Sequence, residues 1–184
     1  RGLDFVAITD HNTVSQASGL RELQPYFDRL LVLPGREMTT FEGHANLWAS
    51  VAPLDFRVAD GRDWNALLRD AARLGGVVSI NHPIRPTGER CMGCGWTPRG
   101  GVDLSLVQAG EVVNGGDADT SYSGIPFWET LLNQGQRLTA VGGSDNHDPA
   151  LAQVTAGGAP VGTPATAVHA RALSVPALLE GLRA

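Results

Sequence analysis

Residues 63–82 read DWNALLRDAARLGGVVSINH, and this stretch decides the fold class. Trp64, Leu67, Leu68, Ala71 and Ala72 recur at helical spacing, which predicts an amphipathic helix over Asp63–Leu74. Gly75 stops that helix, and Gly76 to Asn81 is a short β-branched run with the character of a buried strand. His82 follows directly at the strand's carboxyl end. A helix feeding a buried strand that ends on a chemically competent side chain is the unit expected of a parallel α/β protein.

The unit recurs on both sides. Asp4 to Thr9 reads as a strand and Ser15 to Leu23 as a helix with Ser15 as N-cap. Leu30 to Leu33 reads as a strand ended by Pro34-Gly35, with extended pieces at Glu37–Phe41 and Asn46–Val51 around Gly43. Further on come strands at Glu111–Asn114, Arg137–Val141 and Ala165–His169, and helices at Pro126–Gln134 and Val175–Leu182. Residues 83–101 and 148–163 read as long irregular loops. No internal repeat or linker interrupts the chain, so residues 1–184 are expected to form one domain.

Composition narrows the function classes. All 14 basic residues are Arg against 19 acidic ones, a formal net charge of −5, and no basic run occurs. No nucleic-acid partner is expected from that balance. No apolar run approaches the roughly 18 residues of a membrane span, and no signal peptide is expected within residues 1–184. The expectation is a soluble protein of the cytoplasm or periplasm. Neither dinucleotide nor P-loop fingerprint appears.

The chemistry collects at strand ends. Asp10-His11 follows the first strand, Glu37 follows LLVLPG, His82 follows GVVSIN, and Asp145-Asn146-His147 follows Val141 and a Gly-Gly turn. In a parallel α/β barrel such ends share one rim. Asp145 and His147 are two apart, so on extended backbone both would point the same way. Glu37 and His44 are seven apart across Gly43, and a tight turn would bring both to that rim. One His at a strand end is ordinarily a hydrogen-bonded structural side chain. Four of five, each beside an acid or a Gly turn, point to a metal cluster. His169 has no acidic neighbour and reads as a strand residue. Mixed imidazole and carboxylate ligands suit Zn, Mn or Fe better than Ca or Mg.

These motifs resemble the PHP superfamily, named for its polymerase and histidinol-phosphatase members. The similar segments are GLDFVAITDHNT (2–13), LPGREMTTFEGHAN (33–46), SINHP (79–83) and AVGGSDNH (140–147), in the family's order. The resemblance implies a distorted (β/α)7 barrel holding two or three divalent metal ions. It implies His11, Glu37, His44, His82, Asp145 and His147 as ligands, with Asp10 as a ligand or an orienting acceptor. GHAN, NHPIRP, CMGCGW (91–96), EVVNGG (111–116) and residues 162–168 look further like the CehA/McbA-type metallohydrolases, a branch that includes carbaryl hydrolases.

The sequence departs from the family at the front, since no H-x-H motif occurs in it. A chain lacking its first strand, or a degenerate member, would each account for this, and the start at Arg1 favours the former. The implied reaction is hydrolysis of a small-molecule ester by a metal-activated hydroxide. A phosphoester is the commoner chemistry of the superfamily, a carboxylic or carbamic aryl ester that of the narrower branch, and a non-catalytic metal-binding domain is the third reading. Arg85 is a candidate clamp for an anionic substrate and Arg36 lies near the motifs. Asn12, Asn46 and Asn114 read mainly as loop-holding residues. Cys91 and Cys94 form a local disulfide or two free thiols, and Trp96 either lines a substrate pocket or packs the loop.

Overall fold

The computed structural model describes residues 2–59, 61–155 and 158–183. Arg1, Asp60, Ala184 and two residues of the second long loop, 156 and 157, lie outside them. Among the described residues, six strands form one sheet in chain order: β1 (Phe5–Ile8), β2 (Leu31–Thr40), β3 (Gly43–Trp48), β4 (Val77–Ile80), β5 (Ala109–Asn114) and β6 (Thr139–Gly143). Four α-helices among the described residues accompany them: α1 (Ala17–Leu23), α2 (Trp64–Arg73), α3 (Ile125–Asn133) and α4 (Val175–Arg183). β1–β2, β4–β5 and β5–β6 pair parallel, whereas β3 runs antiparallel to both β2 and β4. The sheet is therefore mixed, with β3 alone reversed.

The sheet curls. Residues from β1, β3, β4, β5 and β6 line a single cleft of about 1090 Å³, which requires the strands to wrap around it. At the rim, His11 beyond β1 meets His147 beyond β6 with ring nitrogens 3.2 Å apart. No ladder joins β1 to β6 among the described residues. The architecture is a six-stranded half-barrel of the α/β class. The expected seventh strand, Ala165–His169, lies outside the ladder: Thr166 meets β6 through its hydroxyl, which bonds both the N–H and the C=O of Gly142.

The core follows the pleat. Every residue of β4 is buried, as expected for a strand covered on both faces. Val78 and Ile80 face α2, joining Trp64, Leu67, Leu68 and Ala71, while Val77 joins Ala109, Val141, Leu179 and Leu182 under α4. Ala72, expected on the buried face of α2, is exposed. Asp63 caps α2, its carboxylate accepting from the Ala66 N–H at 2.8 Å. α1 begins two residues later than expected and Ser15 does not cap it. The Gln16 amide instead donates to the carbonyls of Ile8 and Gly35, tying the helix start to the sheet.

Two strands run through their expected stop signals. β2 continues past Pro34-Gly35 because Pro34 is where β2 leaves β1 and takes up β3, so its missing N–H costs no continuous ladder. β6 includes Gly142 and Gly143, where neighbours crowd the position a side chain would take. A Cβ on Gly142 would sit 3.0 Å from Pro164, and one on Gly143 would sit 3.1 Å from the Glu111 carboxylate.

Leu67 is fully buried between α2 and the sheet. Leu67→Ala is expected to cost about 2–5 kcal/mol, and Asp63→Ala about 1 kcal/mol, in denaturant unfolding of the protein. A loss below about 1 kcal/mol for Leu67→Ala would contradict the packing described.

Candidate metal centre

The site is assembled by backbone pairing. Beyond β1 the parallel pairing continues as a bridge between His11 and Glu37: the Glu37 N–H donates to Asp10 C=O at 3.1 Å and the Asn12 N–H to Glu37 C=O at 2.8 Å. The Asn12 side chain exchanges two hydrogen bonds with the Thr39 backbone, which is the loop-holding role expected of it. Thr39 pairs with His44 and Glu37 with Asn46 across the β2–β3 hairpin, so Glu37 and His44 are diagonal neighbours on one face. Asn81 and His82 follow β4 at the same rim.

The Glu37 carboxylate is the hub. Oε1 lies 3.0 Å from His44 Nδ1 and 3.3 Å from His82 Nε2, and Oε2 lies 3.2 Å from His11 Nδ1. His11 Nε2 then faces His147 Nε2 at 3.2 Å. Donor atoms bound to one tetrahedral zinc-type ion stand about 3.3–3.8 Å apart, given bonds of about 2.0–2.3 Å. The spacing around Glu37 is close to that, so the residues fit a divalent ion. His11, Glu37 and His44 in particular place one donor atom each within 4.8 Å of one another.

The D-x-H pair reaches the rim by another route than expected. Asp145 has φ +48°, so residues 145–147 turn instead of extending. His147 Nδ1 faces the Asp145 carbonyl at 2.9 Å, and the Asp145 carboxylate accepts from the Asn114 amide at 3.3 Å. Asn12 and His82 also have positive φ, at +57° and +27°. Among the described residues, three of the four non-glycine residues in that region thus belong to this rim, a concentration of backbone strain typical of functional sites.

Glu111 carries no expectation from the sequence beyond its place in a strand. It is buried, accepting from the His82 N–H at 2.8 Å and from the Asn114 amide at 3.1 Å. Burial pushes its pKa up to about 7, against the opposing charge of His82. For His82, burial disfavours the charge, but the hydrogen bond to Glu37 and the fields of Glu111, Glu37 and Asp145 prevail and raise its pKa to about 9. Burial would raise Glu37 too, yet the hydrogen bonds from His44 and His82 hold it well below the usual carboxylate range.

The remaining candidates lie apart from the hub. Asp10 is exposed at the cleft wall and joins the site through its backbone carbonyl. Arg85 is paired to Asp117 at 2.6 Å and does not line the cleft. Arg36 is buried and donates to the Ala52 carbonyl. Trp96 packs against Trp64, ring centroids 4.6 Å apart, and over Gly43, so it serves the loop and not the cleft. Cys91 and Cys94 are joined as a disulfide. Asn46 and Ser79 line the cleft and hold buried oxygens without a hydrogen-bond partner, as does Asn81.

No protein-family model matches the sequence. No curated protein matches it either. Among solved structures, the chain is similar to a two-domain protein from Bacteroides vulgatus ATCC 8482 containing a predicted PHP-like metal-dependent phosphoesterase. The TM-score is 0.63 at 21% identity, over 100% of this chain and 54% of that one. The chain thus spans about half the length of that protein and shares its fold. Among the described residues, no helix is long and apolar enough to cross a membrane.

The charges set a pH dependence for the ion-free protein. His82, raised from 6.5 to about 9, gives stability that is complete below 6.5 and lost as pH rises through 9. Glu111, raised from 4.5 to about 7, gives stability complete below 4.5 and lost through 7. Glu37, held low, gives stability present above 4.5 and lost as pH falls well below it. The thermal midpoint is expected to be highest near 4.5 and to fall as pH rises to 9, with Glu111→Gln removing the part of the fall completed near 7. A midpoint that instead rises over this interval in circular-dichroism melts would contradict these assignments.

Proposed function

We propose that the protein is a metal-dependent hydrolase that cleaves a phosphoester, with His11, Glu37, His44, His82, Asp145 and His147 as the ligand set for two or three divalent ions. The observation that carries this reading is the buried Glu37 carboxylate facing three imidazoles at 3.0–3.3 Å, at the mouth of a large cleft. The structural neighbour containing a predicted PHP-like phosphoesterase supports it through the shared fold. Bound there, divalent ions of the Zn, Mn or Fe type would lower the pKa of a water to roughly 7 and polarise the ester oxygen.

The chain's own residues have separable tasks. Glu37 fixes His11, His44 and His82 relative to one another. Glu111 holds the backbone of His82 and, through Asn114, the Asp145 carboxylate. Thr39 Oγ1, 2.6 Å from His11 Nδ1, orients that ring so that Nε2 faces His147. Asp10, at the cleft wall, is the proposed orienting acceptor, and Arg85 would bind an anionic substrate only by leaving Asp117.

A second reading has its own observation. No Arg lines the cleft among the described residues, whereas Phe5, Trp48, Leu173 and Leu178 do. A wall of that kind suits a neutral apolar ester, carboxylic or carbamic, of the CehA/McbA type.

Metal-loaded protein is expected to hydrolyse p-nitrophenyl phosphate faster than p-nitrophenyl acetate under the first reading, and the reverse under the second. Binding of less than one ion per chain, with hydrolysis of neither ester, would leave a non-catalytic domain. His147→Ala is expected to lose bound metal and at least about 100-fold of the activity together. Activity persisting in that variant would remove Asp145 and His147 from the ligand set.

A further inference from the structure

His44 and His82 each spend one ring nitrogen on Glu37, and each turns the other toward the same loop. His44 Nε2 lies 3.0 Å from the Met92 carbonyl and His82 Nδ1 lies 3.1 Å from the Cys94 carbonyl. The sulfurs of Cys91 and Cys94 and one ring nitrogen of each His all lie within 4.8 Å of one another. Both His and Cys94 are buried, Cys91 is half-buried, and Met92 between the sulfurs is exposed.

Contacts other than the disulfide also hold the loop in this position. Cys91 and Gly88 exchange two backbone hydrogen bonds, Trp96 N–H donates to Pro83, and Thr97 N–H donates to Glu42. Gly93, at φ +80°, lies so close to Thr40 that a Cβ there would be 1.9 Å from its carbonyl oxygen. A cross-link three residues apart also closes the kind of short loop that gains least from lost chain entropy. Stability is therefore a weak reason for two sulfurs here, whereas ligand chemistry is a strong one. Two thiolates with C-x-x-C spacing and two imidazoles are a tetrahedral zinc set, and thiolates select zinc-type ions over Ca or Mg.

We propose that reduction of the Cys91–Cys94 disulfide opens a second cation site, in which both thiolates and the loop-facing nitrogens of His44 and His82 hold one zinc-type ion. A dithiol reductant supplies two electrons and two protons: its own disulfide forms as the Cys91–Cys94 bond breaks. Each new thiol then releases its proton to solvent as its sulfur ligates the ion. The site shares two imidazoles with the Glu37 centre, so the redox state of the loop sets which side those imidazoles serve. It does not depend on the protein being a hydrolase.

Cobalt(II) titration tests this, with a phosphine as reductant so that no foreign thiol contributes. The phosphine takes oxygen from water as its oxide while the two sulfurs take the protons. Reduced protein, shown by thiol titration to carry two free thiols, is expected to develop a sulfur-to-cobalt charge-transfer band that saturates at one ion per chain. Oxidised protein and the Cys91→Ser/Cys94→Ser variant are expected to lack the band, and reduced His147→Ala to keep it. Two free thiols without the band overturn the proposal, as does a band that survives in the double variant or a disulfide that cannot be reduced in the folded protein. Absence of hydrolysis leaves the band unchanged, so the two proposals fail separately.

Discussion

The rim depends on one buried charge. A carboxylate taken out of water is tolerable only when its oxygens are fully engaged, and removing its partners is far more damaging than never having had the charge. Glu37 meets that demand with imidazoles from three places: the end of β1, the start of β3 and the end of β4. Each arrives by backbone pairing, through the His11–Glu37 bridge, the β2–β3 hairpin and the β3–β4 ladder. The same contacts that neutralise Glu37 therefore hold the strand ends of the curled sheet in register, and they place three ring nitrogens within 3.0–3.3 Å of its oxygens.

What the sequence made legible was local. The helix over α2 and the buried run of β4 are written in the spacing of neighbouring residues. The ligand-type residues were legible because strand ends were, and His11, Glu37, His44 and His82 do converge. What stayed hidden depends on groups distant in the chain. Pro34-Gly35 and Gly142-Gly143 read as stops, but each sits inside a strand because of what faces it: a change of partner in one case, Pro164 and Glu111 in the other. Glu111 was invisible as a site residue since a lone Glu in an apolar strand has no spacing to betray it, and only the fold brings it under His82. The turn at Asp145 and the packing of Trp96 on Trp64 are likewise long-range choices.

The positive φ angles at Asn12, His82 and Asp145 show what the arrangement costs. Each such residue is worth of order 1–3 kcal/mol of strain and persists only where its surroundings over-determine it. Those surroundings are visible here. Asn12 is pinned twice to Thr39, the His82 N–H is held by Glu111, and Asp145 is held by Asn114. Polar partners thus fix each of these backbone conformations, at His82 in a region that a histidine seldom adopts.

The two ends of the half-barrel are held by different physics. Away from the rim, Val77, Ala109 and Val141 pack against Leu179 and Leu182 of α4, a contact that is indifferent to pH and to ions. At the rim, β1 and β6 meet through His11 and His147, whose ring nitrogens stand 3.2 Å apart. An apolar end needs only hydrophobic residues of suitable volume, so it constrains sequence loosely. A shared fold at 21% identity is what that tolerance permits. The rim has no such latitude: replacing one imidazole there leaves a buried carboxylate short of a partner. Divergence in this fold should therefore fall on the apolar end and the loops, while the charge pattern around Glu37 sets what chemistry the same scaffold performs.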